Sequence, residues 1–333
     1  MTTMPAPAPS RSPELGAGRG TEPGSTGGSA GYRPVPMTDR LPDNLALLYD
    51  AFDEEAIGKI LPGDTFTVEG VEFVCKYVPG STASRFYIVK NLALVERYRQ
   101  LCRRFAGGAI VELGIAEGGG AALIALLARP KKLVAVDLEP EPLAALAEFI
   151  DAHGLTESVR PHYGVDQADR ARLGELVDAD LAGDALDLVV DDCSHQFGPT
   201  RSSFETLFPR LRPGGLYVIE DWNADHLMHD AIRASLADTT VPDHEARMKA
   251  FRRSIADSVR GEPKERRAPL TRLAVELMVA RCSLTDAIAE VSVDEFWVVV
   301  RRGTADLDPA TFRLSDHYTD HFGFVPPLRD TQA

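Results

Sequence analysis

The chain has 333 residues, of which 44% are hydrophobic and 26% charged, and its formal net charge is −14. This composition supports one sizeable globular domain with appendages, and the negative charge argues against binding to nucleic acid or an anionic membrane. No apolar run approaches the roughly 20 residues of a membrane span, and the first residues lack the apolar segment of a secretory signal. Four scattered cysteines without a CxxC spacing are typical of reduced thiols, so we expect a cytoplasmic protein.

The first third of the chain is predicted to hold a tail and a cap. Residues 1–40 are rich in Pro, Gly, Ser, Ala and Thr, a composition that predicts a disordered tail. A cap is predicted over residues 41–105, and its elements are a helix at Asn44–Ile57, a β-hairpin within Thr65–Val78 and a helix at Ser84–Phe105. We expect this cap to contribute to a substrate pocket or a dimer contact, and the protein to form a homo-oligomer.

Residues 106–303 are predicted to form one α/β domain, because strand and helix patterns alternate along them. The predicted strands are Ala109–Leu113, Lys132–Val136, Val159–Tyr163, Leu186–Val190 and Gly215–Ile219, and the helices between them are Gly118–Ala128, Glu141–His153, Arg170–Val177 and Thr200–Leu211. The alternation predicts a doubly wound, mostly parallel sheet. Two further strands, at Ile288–Val293 and Phe296–Arg301, are predicted to form an antiparallel hairpin.

The segment from residue 224 to 286 has a largely helical pattern and carries a cluster of basic residues. We interpret it as a solvated helical lid over the domain. A surface for an acidic partner is the alternative interpretation. Residues 304–333 are treated as a carboxyl-terminal extension.

The first strand–helix junction, VELGIAEGGG, has the features of a ligand-binding loop. Gly114 and Gly118 allow a sharp turn and a close approach of the backbone to a ligand at a helix amino terminus. Glu112 stands where it could hold a cationic amine. Asp137, at the end of the second strand, is placed to accept hydrogen bonds from ribose hydroxyls, and Asp166 could reach the amine of an adenine. For each acid alone, a capping or solvent-exposed role is at least as plausible.

Taken together, these residues resemble the class I S-adenosylmethionine-dependent methyltransferases. That family has an acid-x-Gly-x-Gly/Ala-x-Gly motif, matched here by Glu112, Gly114, Ala116 and Gly118. Asp137, the PGG turn before the fifth strand and the final hairpin match as well. The resemblance covers about residues 105–302, and it implies a seven-stranded, Rossmann-like sheet with S-adenosylmethionine as the cofactor.

Four acids are predicted to meet at one edge of the sheet. The stretch LDLVVDDCSH ends a strand with Asp191 and Asp192, and the next strand ends with Glu220 and Asp221. Carboxylates at the carboxyl ends of neighbouring parallel strands suit Mg²⁺ or a similar ion, and the best ligand set is Asp192, Glu220 and Asp221. Asp191 is assigned to cofactor contact or to structure. Cys193 is a poor candidate for a nucleophile, because the nearby acids raise a thiol pKa.

These acids resemble those of metal-dependent O-methyltransferases, and most closely those of the bacterial enzymes that methylate macrolide sugars and rhamnosyl groups. The resemblance implies that His195 is the general base, that the metal holds acceptor hydroxyls, and that the acceptor is a small natural product such as a glycoside. Methyl transfer to nitrogen, another S-adenosylmethionine-assisted reaction, and a cofactor-binding protein without turnover are the alternatives. A nicotinamide oxidoreductase is disfavoured, because the glycine order is not G-x-G-x-x-G.

Overall fold

The computed structural model describes residues 63–76, 78–224, 226–227, 268–283 and 286–325. The strands are β1 Thr65–Val68, β2 Val71–Cys75, β3 Arg85–Ile88, β4 Ala109–Leu113, β5 Lys132–Val136, β6 Val159–His162, β7 Leu186–Asp191, β8 Leu211–Glu220, β9 Ile288–Val293 and β10 Trp297–Arg302. The helices are α1 Leu92–Arg104, α2 Gly119–Ala128, α3 Ala144–Ala152, α4 Arg170–Leu181, α5 Phe197–Leu207 and α6 Thr271–Ser283, with 3₁₀ turns at Phe208–Arg210 and Leu314–His317.

The main sheet has seven strands in the order β6-β5-β4-β7-β8-β10-β9. Its first five strands are mutually parallel, and β10 pairs antiparallel with both β8 and β9. The order reverses between β4 and β7, and ligands of open α/β sheets bind at such a switch point, beyond the carboxyl ends of the strands. The sheet confirms the predicted doubly wound α/β class.

The central strands are almost wholly apolar because helices cover both faces of the sheet. One core contains residues of β1–β3 and α1–α3, and we call this side the cap face. The other core contains residues of α4, α5 and α6 together with Phe312 and Leu314, and we call this side the distal face. Successive residues of each strand therefore pack into different cores. This alternation decides which face each acid at a strand end reaches.

The cap region differs from its prediction in one element. The hairpin is present, with Thr65–Val68 paired antiparallel to Val71–Cys75. Residues Arg85–Ile88, however, form a third strand parallel to β2, and the helix begins only at Leu92. The Asn91 side chain caps this helix by accepting a hydrogen bond from the Leu94 backbone at 2.9 Å. The apolar residues of this segment fit a helical spacing, but Phe86 and Ile88 lie on one face of a strand instead.

Part of the predicted lid is a core element. In α6, Leu273, Ala274, Leu277 and Ala280 are buried in the distal core. The basic cluster and most of the remaining lid lie outside the described residues, as do the predicted tail and the helix at Asn44–Ile57. The domain boundaries therefore remain predictions. Within the part of the chain that is described, no helix is long and apolar enough to cross a membrane.

Candidate active site

The site lies at the carboxyl edge of the main sheet, where β4 and β7 are neighbours. Leu113 pairs with Asp191, and Asp191 pairs with Ile219 of β8, so three strands end at one level. The glycine-rich loop leaves β4 at this point. The structure thus brings the two halves of the predicted site, the loop and the acids, side by side.

Gly114 must be glycine for two reasons. Its φ of +99° is rarely adopted by other residues, and a Cβ there would lie 2.0 Å from the Asp192 carbonyl oxygen. The backbone of Asp192 also donates to the Leu113 carbonyl at 2.9 Å. The loop therefore runs directly beside the first residue of the acid cluster. Gly118 and Ala116 also have positive φ values, of 80° and 44°.

Asp137 supports the glycine-rich loop through its backbone. One carboxylate oxygen accepts hydrogen bonds from the Ile115 and Ala116 amides at 2.7 and 2.9 Å, and the other accepts from the Glu139 amide. Asp166 is exposed and accepts from the Ala168 amide at 2.8 Å. Both acids thus make the capping contacts that were the alternative to ligand binding. Their contacts to a cofactor remain predictions.

Glu112 is a buried carboxylate with an unused oxygen. The residue is 2% exposed, and within the described residues its Oε2 has no hydrogen-bond partner. Burial raises its pKa to about 8, against an opposing effect of Lys90. A Cβ on Gly120 would lie 2.2 Å from Glu112 Oε1, so the carboxylate lies over the start of α2. An orphaned buried carboxylate beside a glycine-rich loop fits a cationic ligand group.

Three side chains form the candidate metal centre. One ligand atom from each of Asp192, His195 and Asp221 lies within 4.8 Å of the others. His195 Nε2 is 3.8 Å from Asp192 Oδ1, and its side chain is 32% exposed. His195 and Asp221 both have a φ of 51°, an uncommon conformation for residues other than glycine. The structure groups His195, rather than Glu220, with the two aspartates.

Glu220 departs from the predicted ligand set because both of its oxygens already have donors. Oε1 accepts from Lys90 Nζ at 2.5 Å, and Oε2 accepts from Tyr98 at 2.7 Å and Trp297 at 3.0 Å. Glu220 is 1% exposed. Burial and then the charge of Asp192 raise its pKa, against the effect of Lys90. The alternation of β8 explains the difference, since Glu220 points into the cap face while Asp221 follows the end of the strand.

Lys90 is the functional residue that the sequence analysis missed. It is 5% exposed, and its Nζ also donates to Asp192 Oδ2 at 2.7 Å. Burial tends to lower its pKa, but Asp192 and Glu220 raise it well above its ordinary value. Burial likewise tends to raise the pKa of Asp192, and Lys90 reverses this effect so that the pKa lies below its usual value. A single lysine between a strand and a helix belongs to no motif, so only the fold reveals it.

Asp191 takes the structural alternative rather than the predicted cofactor contact. It is 2% exposed and accepts hydrogen bonds from Tyr217 at 2.6 Å and Ser203 at 2.7 Å, with Gln167 at 3.4 Å. Burial raises its pKa to about 6, against the two hydroxyl donors. All of these partners belong to the distal face. Asp191 therefore points away from the acid cluster, because successive residues of a strand face opposite sides.

The small sheet β1-β2-β3 forms a wall beside the glycine-rich loop. Glu117 accepts hydrogen bonds from the Gly80 and Ser81 amides at 3.0 and 3.2 Å. A Cβ on Gly119 would lie 2.1 Å from the Ile88 side chain, so β3 packs closely against the start of α2. These contacts place the small sheet beside the loop, while its contribution to a substrate pocket or a dimer contact remains a prediction.

The family described as "Methyltransferase domain" matches residues 111–222, which contain the glycine-rich loop and every acid of the cluster. Over these residues the chain matches a methyltransferase domain. The resemblance to class I S-adenosylmethionine-dependent methyltransferases, drawn from the loop and the strand ends, is thereby confirmed.

Curated relatives match short segments of this chain. The chain is 54% identical over 56 residues to 8-demethyl-8-alpha-L-rhamnosyl tetracenomycin-C 2'-O-methyltransferase of Streptomyces olivaceus, covering 17% of this chain and 14% of the relative. It is 41% identical over 78 residues to mycinamicin VI 2''-O-methyltransferase of Micromonospora griseorubida, covering 19% and 20%. The matched segments thus span a fifth or less of these relatives.

The chain is also similar, at low identity, to solved methyltransferase structures. The MycE methyltransferase of the mycinamycin pathway, in complex with Mg and SAH, is 20% identical with a TM-score of 0.39, covering 63% of this chain and 48% of that one. The O-methyltransferase TomG of Streptomyces achromogenes, in complex with SAM, is 16% identical with a TM-score of 0.37, covering 64% and 81%. The fold assignment itself rests on the strand order of this chain.

Proposed function

We propose that the protein is an S-adenosylmethionine-dependent O-methyltransferase that uses a divalent metal ion and methylates a sugar hydroxyl of a glycosylated natural product. The observation that carries this proposal is the group formed by Asp192, His195 and Asp221, which lies directly beside the glycine-rich loop. The printed names of the relatives, which are O-methyltransferases acting on rhamnosyl tetracenomycin and mycinamicin, support the choice of a sugar acceptor.

The residues around the loop fit S-adenosylmethionine. The unpartnered Oε2 of Glu112 suits the cationic amine of the methionine part, and Gly114 and Gly118, which have no Cβ, allow the backbone to approach a ligand closely. We assign Asp137 to the ribose and Asp166 to the adenine, and their positions after β5 and β6 at the same edge support this assignment. When bound, this cofactor supplies an activated methyl group.

The acid cluster fits a divalent ion such as Mg²⁺. Asp192 and Asp221 offer hard carboxylate oxygens, and one or two carboxylates together with substrate oxygens and water are a usual Mg²⁺ environment. A metal ion here would lower the pKa of an acceptor hydroxyl. We assign Asp192 and Asp221 as its ligands, and we assign Glu220 to the contact with Lys90, because its oxygens already accept from three donors.

His195 is assigned as the general base. Its side chain is partly exposed, and Asp192 lies on one side of it, so the imidazole can take a proton from a hydroxyl at the metal site. Asp192 then stabilises the imidazolium that forms. β3 packs against the start of α2, and the glycine-rich loop lies against the Asp192 backbone. We expect these rigid neighbours to favour alignment of the reacting groups.

A methyl-transfer assay with mass detection tests this function. The protein is incubated with S-adenosylmethionine, Mg²⁺ and a panel of glycosylated natural products, and products heavier by one methyl group are sought. His195→Ala is expected to lower the rate by about 10²- to 10⁴-fold, the usual contribution of a general base. His162→Ala is the matched control, because His162 pairs with Asp180 away from the acid cluster, and it should keep the wild-type rate.

Two results would contradict the proposal. Full transfer after chelator treatment would remove the metal from the mechanism, and full transfer by His195→Ala would remove the base. If the same assay shows methylation of nitrogen instead of oxygen, the proposed reaction becomes N-methylation and the proposed cofactor stays the same.

We also propose that the protein is a cytoplasmic homo-oligomer that binds neither nucleic acid nor membranes. The net charge of −14 supports the last part of this proposal, because anionic partners would be repelled. Size-exclusion chromatography with light scattering would test the oligomer. A monomeric mass at assay concentration would contradict it.

A further inference from the structure

The backbone on both sides of Lys90 is fixed. Ile88, at the end of β3, is 3% exposed and packs in the core of the cap face. Asn91 caps α1 through its hydrogen bond with the Leu94 amide. Lys90 lies between these two anchors, so its side chain enters the site from a defined point of the cap and with little freedom to leave it.

One ammonium group joins the ends of two strands. Lys90 Nζ contacts Asp192, which follows β7, and Glu220, which ends β8. It also lies 4.8 Å from the centre of the Tyr98 ring, whose hydroxyl holds the other oxygen of Glu220. Trp297 donates to that same oxygen. The Lys90 ammonium therefore lies against Asp192, the carboxylate that is assigned to the metal.

The buried carboxylate of Glu220 and the partly exposed carboxylate of Asp192 lie at the ends of adjacent strands and repel each other, and leaving a buried charge without a partner is strongly destabilising. We propose that Lys90 is the resident counter-cation of the acid cluster: it keeps the Asp192 and Glu220 carboxylates together without a metal ion, and it competes with the metal for Asp192. This inference rests on the metal binding of the proposed function.

The two roles of Lys90 have opposite consequences for its removal. Without the ammonium, the acid cluster has one more uncompensated negative charge, so the metal-free fold loses stability. The same charge attracts a divalent cation more strongly, so the metal binds more tightly. A residue that only filled space would lower stability without improving the affinity for a metal.

Thermal unfolding in chelator tests the first role. Lys90→Met keeps an unbranched apolar side chain, one heavy atom shorter, and removes the charge, and in EDTA it should lower Tm by about 5–15 °C. Lys90→Met combined with Glu220→Gln removes both partners and should recover a large part of this loss. Lys131→Met is the matched control, because Lys131 pairs with Asp184 at 3.0 Å on the surface, and its Tm should shift by about 2 °C or less.

Calorimetric titration of MnCl₂ into chelator-treated protein tests the second role. Lys90→Met should bind Mn²⁺ about tenfold or more tightly than wild type. The variant removes one positive charge near a partly buried site, and this changes the electrostatic energy of a bound Mn²⁺ by more than a tenfold change in affinity requires. Mn²⁺ should also raise Tm more in Lys90→Met than in wild type. The double variant should bind Mn²⁺ at least as tightly as wild type, although one acid has been removed.

The inference is overturned if Lys90→Met has the wild-type Tm in EDTA, or if it or the double variant binds Mn²⁺ more weakly than wild type. If Lys90→Met is insoluble without metal and soluble with Mn²⁺, that result supports the inference. The affinity for Mn²⁺ is then measured on the double variant. The proposed function fails separately, if wild type neither binds Mn²⁺ nor transfers a methyl group. The comparison of the variants in EDTA does not depend on that outcome.

Discussion

Asp191 and Glu220 are both buried carboxylates at the carboxyl ends of neighbouring parallel strands, yet they lie on opposite faces of the sheet and have different partners. On the distal face, Asp191 accepts from two hydroxyl groups and lies near an amide. On the cap face, Glu220 accepts from an ammonium, a hydroxyl and an indole N–H. Each carboxylate is satisfied, but only one of them shares its cation with a second acid.

The difference between these partners distinguishes a structural role for Asp191 from a role of Glu220 beside the proposed reaction site. Neutral donors stabilise one carboxylate in one place, and Tyr217 and Ser203 also link β8 and α5 to the end of β7. An ammonium compensates the negative charge of a carboxylate, and another cation can take its place. A hydroxyl donates a hydrogen bond but carries no charge that a cation could replace. We therefore expect changes on the distal face to alter stability alone, and changes on the cap face to alter stability and metal-dependent methyl transfer together.

The largest expected effect contrasts two adjacent residues. Asp192→Asn should lower the rate of methyl transfer by about 10²- to 10³-fold, because it removes a charge that stabilises the reacting groups. Asp191→Asn should lower Tm but keep the rate per folded molecule close to wild type, since Asp191 faces the distal core. Steady-state kinetics on both variants, corrected for folded fraction, would check this. Equal losses of rate would break the division between the two faces.

Two tyrosines provide a matched pair of smaller changes. Tyr217→Phe and Tyr98→Phe each remove a hydroxyl that donates to a buried carboxylate, at 2.6 and 2.7 Å. Each should lower the free energy of unfolding by about 1–3 kcal/mol, the usual effect of losing a hydrogen bond to a charged group. Only Tyr98→Phe should also slow methyl transfer, by about tenfold, as changes behind a metal site often do. Urea unfolding and kinetics together decide whether the faces differ in this way.

Glu112 gives a pH-dependent prediction on the cap face. Its folded-state pKa of about 8 lies above the ordinary 4.5, so the folded protein holds this proton more tightly than the unfolded chain does. The carboxylate therefore costs stability increasingly as pH rises from about 4.5 to 8, and it has no such cost below that range. Glu112→Gln should be more stable than wild type at pH 8 and nearly equal at pH 4.5, while binding S-adenosylmethionine more weakly.

Urea unfolding of the ligand-free proteins at several pH values would measure this gap, and calorimetry would measure the affinity. If the difference in the free energy of unfolding between Glu112→Gln and wild type stays constant with pH, other groups compensate the buried Glu112 carboxylate. An unchanged affinity would separate Glu112 from the cofactor.

The smallest expected effect concerns an exposed cation. Lys131 and Asp184 form an ion pair whose side chains are 42% and 47% exposed. Lys131→Met should change the free energy of unfolding by at most about 1 kcal/mol, because water already solvates both charges. A loss as large as that of Lys90→Met would mean that burial is not what distinguishes Lys90.

Local patterns in the sequence were enough to predict most of the sheet. The predicted strands Ala109–Leu113 and Lys132–Val136 have the same bounds in the structure, because a strand buried on both faces needs a mostly apolar run. The segment 84–105 was harder, since Phe86 and Val89 suit a helical spacing whereas Phe86 and Ile88 suit a strand. Pairing with β2, which is a tertiary contact, decided between them.

The sequence by itself determined which residues lie at the sheet edge, because residue type and position in the chain are enough to place a glycine-rich loop and a set of acids at the ends of parallel strands. Asp192, His195 and Asp221 come together as that reasoning requires. Only the tertiary structure decided how Asp191, Glu220 and Lys90 divide the remaining charge. A strand's alternation settles which face each acid enters, and Lys90 reaches its two partners from 102 and 130 residues away in the chain.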